Sequence, residues 1–90
     1  MSVPSVATTI TVNVLLFAQL RDRFGADTLQ VSLPRGATGT TLMRWLAERN
    51  PKMDSLLGVS RLAINCEYVS LDHRLEDGDE AVIIPPVSGG

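Results

Sequence analysis

Ninety residues suffice for one domain with one modest core, and a composition of 44% hydrophobic and 20% charged residues patterns the chain for a globular fold, not for disorder. A net charge of −2, with eight scattered Lys and Arg residues, excludes the clustered basic patch that nucleic-acid binding needs. One cysteine (Cys66) and one histidine (His73) exclude an internal disulfide and are too few for a zinc site, and no stretch approaches the ~20 apolar residues of a membrane-spanning helix.

Residues 1–9 carry Ser, Pro, Ala, Val and Thr without a period and read as a flexible N-terminal extension. They hold no basic residue and no continuous apolar run, so they do not form a secretory leader, and the expected location is cytoplasmic. Ile10, Val12, Val14 and Leu16 then alternate with Thr11, Asn13 and Leu15, the period of a strand; apolar Leu15 on the second face predicts a strand inside a sheet. Leu20 and Phe24, four apart, suit a short helical turn closed by a left-handed Gly25. Leu29, Val31 and Leu33 make a second alternating strand, ended by Pro34 and antiparallel to the first.

Thr38 is placed to cap the one long helix, with Leu42, Trp45 and Leu46 as its buried stripe and Asn50–Pro51 as its stop. Residues 53–58 are ambiguous, with Leu56 and Leu57 expected under the core. Leu62 and Ile64 share a face of a third strand. Asn65, Cys66 and Glu67 turn the chain into a short strand at Tyr68–Val69, and Asp77–Gly78 is a tight turn before a last strand over 81–84. That last strand is apolar on both faces, as a central strand must be. Strand, strand, helix, strand, short strand, strand predicts an α+β fold of the ubiquitin-like β-grasp type, a mixed sheet crossed by one main helix. The domain is expected over 10–84, followed by a flexible Gly-Gly tail over 85–90.

The tail reads Pro85-Pro86-Val87-Ser88-Gly89-Gly90. Two prolines remove two backbone donors, stop the sheet and favour a stiff, extended arm. Val87 offers one apolar anchor, Ser88 follows it, and Gly89 and Gly90 can enter a channel too narrow for any Cβ. A frayed terminus is the plain alternative. The arm becomes chemical if Gly90 ends in a free carboxylate. Adenylation would give that carboxylate a good leaving group, and a sulfur nucleophile could then displace AMP and leave a thiocarboxylate. The chain has no phosphate-cradling glycine loop, so ATP and the acid–base groups would belong to partners.

Three segments carry a resemblance: Leu15-Leu16-Phe17-Ala18-Gln19-Leu20-Arg21, Leu75-Glu76-Asp77-Gly78-Asp79-Glu80, and the tail itself. Together, over roughly residues 10–90, they resemble the small sulfur-carrier subunits of molybdopterin synthase. The terminal Gly-Gly is common to many ubiquitin-like carriers; the Phe17–Arg21 segment with the Pro-Pro-Val-Ser-Gly-Gly end is more specific. The resemblance implies that an adenylating, E1-like activating enzyme uses ATP on Gly90 and that a sulfur donor protein converts it to the thiocarboxylate. The large catalytic subunit then takes the tail, in a heterotetramer of two carriers and two large subunits, and cyclic pyranopterin monophosphate receives the sulfur for the molybdopterin dithiolene. No cofactor is expected on this chain, which would not be catalytic alone. Phe17, Arg21, Tyr68 and Ile84 fall where the family contacts partners; Tyr68 and Ile84 depart from the commoner residues there.

Each of these residues also has a plainer reading. Phe17 divides evenly between core and an exposed partner patch. Arg21 is by default a solvated charge, or else a guide for the tail or a pair for an acidic partner. Asp77, Asp79 and Glu80 are by default a charged turn, or else steer a basic surface. Trp45 reads as core, and Cys66 and His73 carry no assigned role. The alternatives to a molybdopterin carrier are a carrier for thiamine, cysteine or tRNA thiolation, a protein modifier that joins lysines through Gly90, and a non-covalent adapter that uses only its sheet face.

Overall fold

A computed structural model describes residues 8–86 of the chain. Strand β1 (Thr9–Leu16) begins one residue ahead of the alternation that marks it, and turns Ile10, Val12, Val14 and Leu16 into the core. The chain then swings into helix α1 (Ala18–Phe24), which buries Leu20. Gly25 closes α1 at φ 72°, its N–H donating to the Arg21 carbonyl at 2.9 Å, as a left-handed glycine cap requires. Strand β2 (Thr28–Pro34) returns antiparallel along β1, with Val31 opposite Val12.

Helix α2 (Gly39–Arg49) crosses the sheet and buries Leu42, Met43 and Leu46. Its first amides are satisfied from elsewhere in the chain: Gly39 N–H donates to the His73 carbonyl at 3.1 Å and Thr40 N–H to the Leu71 carbonyl at 3.0 Å. Thr38 and Thr41 form a capping box, in which the Thr38 N–H donates to the Thr41 hydroxyl at 3.0 Å. Trp45, expected in the buried stripe, is only half-buried, and the Arg49 guanidinium lies 4.0 Å from its ring centroid. Met43 is buried instead, because the segment after Pro51 folds back on that flank. A 3₁₀ turn (Pro51–Met53) and helix α3 (Asp54–Gly58) pack against α2 and bury Met53 and Leu57.

Strands β3 (Arg61–Ile64) and β4 (Glu67–Val69) form a hairpin with a two-residue loop. Asn65 (φ 49°) and Cys66 (φ 74°) are both left-handed there, the geometry that lets a short loop follow the twist of its strands. Strand β5 (Glu80–Ile84) lies at the centre of the sheet, in the order β2-β1-β5-β3-β4. It runs parallel to β1 and antiparallel to β3, so the first and last strands lie side by side under one main helix. This is the expected β-grasp arrangement. The core lies between the sheet and α1, α2 and α3, with Val14, Leu20, Leu42, Leu46 and Ile83 fully buried, each contributing about 1.5–3 kcal/mol of transfer free energy. No helix among the described residues is long and apolar enough to cross a membrane.

Candidate functional site

The sheet has a second face, and the strand period decides what lies on it. With Val14, Leu16, Ala81, Ile83, Leu62 and Ile64 turned to the helices, their neighbours in the chain turn the other way. The pairing register aligns these neighbours. Leu15 is opposite Val82, Val82 opposite Ala63, and Ala63 opposite Tyr68, making one apolar row across four strands. In the next row Ile84 is opposite Arg61, and Phe17, extended at φ −123°, follows Leu16 into step with Ile84. Leu15, Val82 and Ile84 are half-buried, while Phe17 is 49% and Tyr68 66% exposed.

Phe17 owes its exposure to the backbone. Ala18 adopts φ 52°, a left-handed conformation that costs an L-residue roughly 1–2 kcal/mol. The turn takes α1 toward the core, where Leu20 is buried, and leaves Phe17 at the rim of the open face. Phe17 is thus exposed and is not a core residue.

The tail leaves from this rim. Pro85 is half-buried and Pro86 exposed, both outside any strand, consistent with the two prolines ending β5 at Ile84. Val87, Ser88, Gly89 and Gly90, the remaining tail assignments, lie outside the described residues, as does the extension through residue 7. Phe17, Ile84 and Tyr68 are thus brought to one face around the root of the tail. Arg21 is not part of its rows. It sits on α1 with Nε 3.8 Å from Asp27 Oδ1 and 3.9 Å from Asp22 Oδ1, loose exposed pairs that contribute little.

The acidic turn lies at the other end of β5 and holds itself together. Asp77 Oδ1 accepts the Thr11 N–H at 2.7 Å, and Asp79 Oδ2 accepts the Glu76 N–H at 2.8 Å. Asp79 Oδ1 accepts from the Asn65 amide at 3.0 Å, and Asn65 Oδ1 accepts the Glu80 N–H at 3.0 Å. Asp77 through Oδ1 and Asp79 through both oxygens are therefore tied into the turn itself, as their plainer reading has it.

Sequence reasoning missed Arg61, Ala63 and Val82 as members of the face. The apolar character of both faces of 81–84 was visible, but the pairing of β3 with β5 spans too much chain to be read from local pattern. Arg61 stands out as the charge in the two apolar rows, its guanidinium 5.8 Å from the Tyr68 ring centroid. Among the described residues no group of three or more His, Cys, Asp or Glu side chains could hold a metal, and no polar or charged side chain is buried. The face offers contact area beside Pro85 and Pro86, where the tail begins.

The ThiS family model matches residues 14–90. A molybdopterin synthase sulfur carrier subunit of Dictyostelium discoideum is 42% identical over 80 residues, covering 86% of this chain and 93% of its own. Among solved structures, a Pyrococcus furiosus protein provisionally described as molybdopterin converting factor subunit 1 superposes with a TM-score of 0.79 at 31% identity, covering 87% of this chain and 99% of its own. The small archaeal modifier protein 1 of Methanosarcina acetivorans superposes with a TM-score of 0.78 at 26% identity, covering 93% of this chain and all of its own.

Proposed function

The chain belongs to the ThiS family, alongside molybdopterin synthase sulfur carrier subunits, and on that premise we propose that it carries sulfur for molybdopterin synthesis. The observation that carries the reading is the apolar open face ending at the strand from which the Pro-Pro tail departs. A docking surface rooted beside a thin arm suits a protein that hands its end to another active site.

In this reading an activating enzyme uses ATP to convert the Gly90 carboxylate to an acyl adenylate in the cytoplasm. Sulfide released by a donor protein displaces AMP, its new C–S bond replacing the C–O bond to AMP, and leaves the thiocarboxylate. The large synthase subunit then covers Phe17, Ile84 and Tyr68, with Pro85 and Pro86 aiming the arm into its site, where Val87 anchors it and Ser88, Gly89 and Gly90 reach the pterin. Two carriers on a dimer of large subunits complete the heterotetramer. Sulfur passes from Gly90 to cyclic pyranopterin monophosphate, and this chain supplies position and the sulfur atom but no acid or base.

The test is the intact mass of the chain purified from cells that also hold its activating enzyme. A gain equal to exchanging one oxygen for one sulfur is expected, and it should vanish when one residue is added after Gly90. An unchanged mass, or sulfur transfer that survives the added residue, overturns the proposal. The similarity to an archaeal modifier protein favours one other reading, attachment to lysines, and conjugates of raised mass in the same preparation would support that instead.

A further inference from the structure

Arg61 stands where a charge is least expected. It occupies the same row as Phe17 and Ile84 and lies directly opposite Ile84, the last strand residue before the tail. Its guanidinium is held over the Tyr68 ring. Yet the only ion pairs among the described residues are those of Arg21, so no carboxylate of a described residue lies within 4.0 Å of the Arg61 guanidinium. The ring lies to one side of the guanidinium, its centroid 5.8 Å away, and no hydrogen bond or ion pair to a described residue engages the fork of N–H donors.

That arrangement restricts what can cover the face. Removing an unpaired guanidinium from water costs several kcal/mol, which apolar contacts to Phe17, Ile84 and Leu15 alone would have to offset. A planar carboxylate can meet the fork bidentately and return that energy, with the Tyr68 ring beside it as an apolar and cation–π neighbour. Glu80, on the same face at the other end of β5 and opposite Asn13, likewise lacks an ion pair among the described residues. The face therefore has a direction, with a cation at the root of the tail and an anion at the far end.

We propose that Arg61 is the specificity-determining residue of this docking face, and that the partner presents an aspartate or glutamate, set in an apolar surround, to the Arg61–Tyr68 pair. The proposal rests on the carrier reading of the same face and adds to it the chemistry of the partner's surface. The carboxylate fixes the docking direction, so that the arm after Ile84 enters the partner's site and does not point away from it.

Calorimetric titration of the large synthase subunit with wild-type chain, Arg61→Met and Arg61→Glu tests this. Arg61→Met keeps most of the apolar stem, and because Arg61 is exposed both variants should melt with the wild type. Arg61→Glu is expected to bind about thirty-fold more weakly or worse, with Arg61→Met between it and the wild type. The wild-type affinity should fall with added salt, and that dependence should flatten in Arg61→Met. Binding of Arg61→Glu within about threefold of a wild type that does bind, or an unchanged salt dependence in Arg61→Met, overturns the role of Arg61 and leaves the carrier reading standing. A wild-type chain that fails to bind the large subunit overturns both. A variant that melts early is replaced by the other, since either alone decides the outcome.

Discussion

Ile83 and Ile84 are neighbours on the same central strand with the same side chain, and they live on different sides of the sheet. Ile83 is fully buried beneath the helices, with Val14 and Leu42 in the same core; Ile84 is half-buried beside Arg61 and Phe17 at the root of the tail. The helix side is finished, packed with apolar groups and holding no buried polar side chain among the described residues. The open side carries comparable side chains that no described helix covers. Equal hydrophobicity thus serves two ends, stability on one face and association on the other. Solvent is a poor neighbour for Ile84, Val82 and Phe17, and a partner that excludes it gains roughly 25 cal/mol per Å² of apolar area, less the costs of association.

The largest expected effect separates the two isoleucines. Ile83→Ala should lower stability by about 2–5 kcal/mol in denaturant unfolding, since it leaves a cavity that a packed sheet–helix layer fills poorly. Ile84→Ala should lower it by less than about 1 kcal/mol, because its cavity opens to solvent. In a pull-down or titration with the large subunit the order reverses: folded Ile84→Ala loses about tenfold or more in affinity, equivalent to about 1.4 kcal/mol. If both variants unfold alike, the two faces are not distinct and the comparison fails.

Gly39 sharpens the contrast from the finished side. A Cβ built there lies 2.7 Å from Leu62 Cδ2 and 3.1 Å from the Leu71 backbone, so α2 enters against β3 with no room for a methyl group. Gly39→Ala should destabilise by about 1–3 kcal/mol, despite alanine's better helix propensity, because the Leu71 backbone cannot rotate away as a side-chain tip can. A thermal shift in the stabilising direction would show that this junction has slack.

Local pattern made the sheet legible. Period two over 10–16 and 29–33 and the continuous apolar run over 81–84 marked strands, and Gly25, Thr38 and Pro51 marked helix ends, because these signals act within a few residues of where they are written. Residues 53–58 were not legible: α3 is five residues long and is held by packing on α2, not by its own propensity. Trp45 was misjudged for the same reason, since the fold-back that buries Met43 on one flank leaves Trp45 at the edge of α2. Phe17, Tyr68 and Ile84 were named through resemblance, and their meeting on one face with Arg61 depended on a β3–β5 register that no local signal encodes.

The smallest effect concerns the β3–β4 loop, where two left-handed residues have different standing. Asn65 is adapted to its φ of 49°: its side chain donates to Asp79 and accepts from the Glu80 N–H, tying the hairpin to the start of β5. Cys66, at φ 74° and exposed, has no such recompense. Cys66→Gly should therefore raise stability by about 0.5 kcal/mol, the relief of left-handed strain outweighing the extra freedom of glycine in the unfolded chain. Asn65→Gly relieves the same kind of strain but removes two hydrogen bonds, each contributing about 1 kcal/mol, and should lower stability. Both shifts are readable as changes in urea midpoint at constant slope. Because this loop lies at the Glu80 end of β5, away from Ile84 and the tail, Cys66→Gly should leave partner affinity unchanged. An affinity loss in that variant would extend the docking face to the hairpin tip and blur the division between the two sides of the sheet.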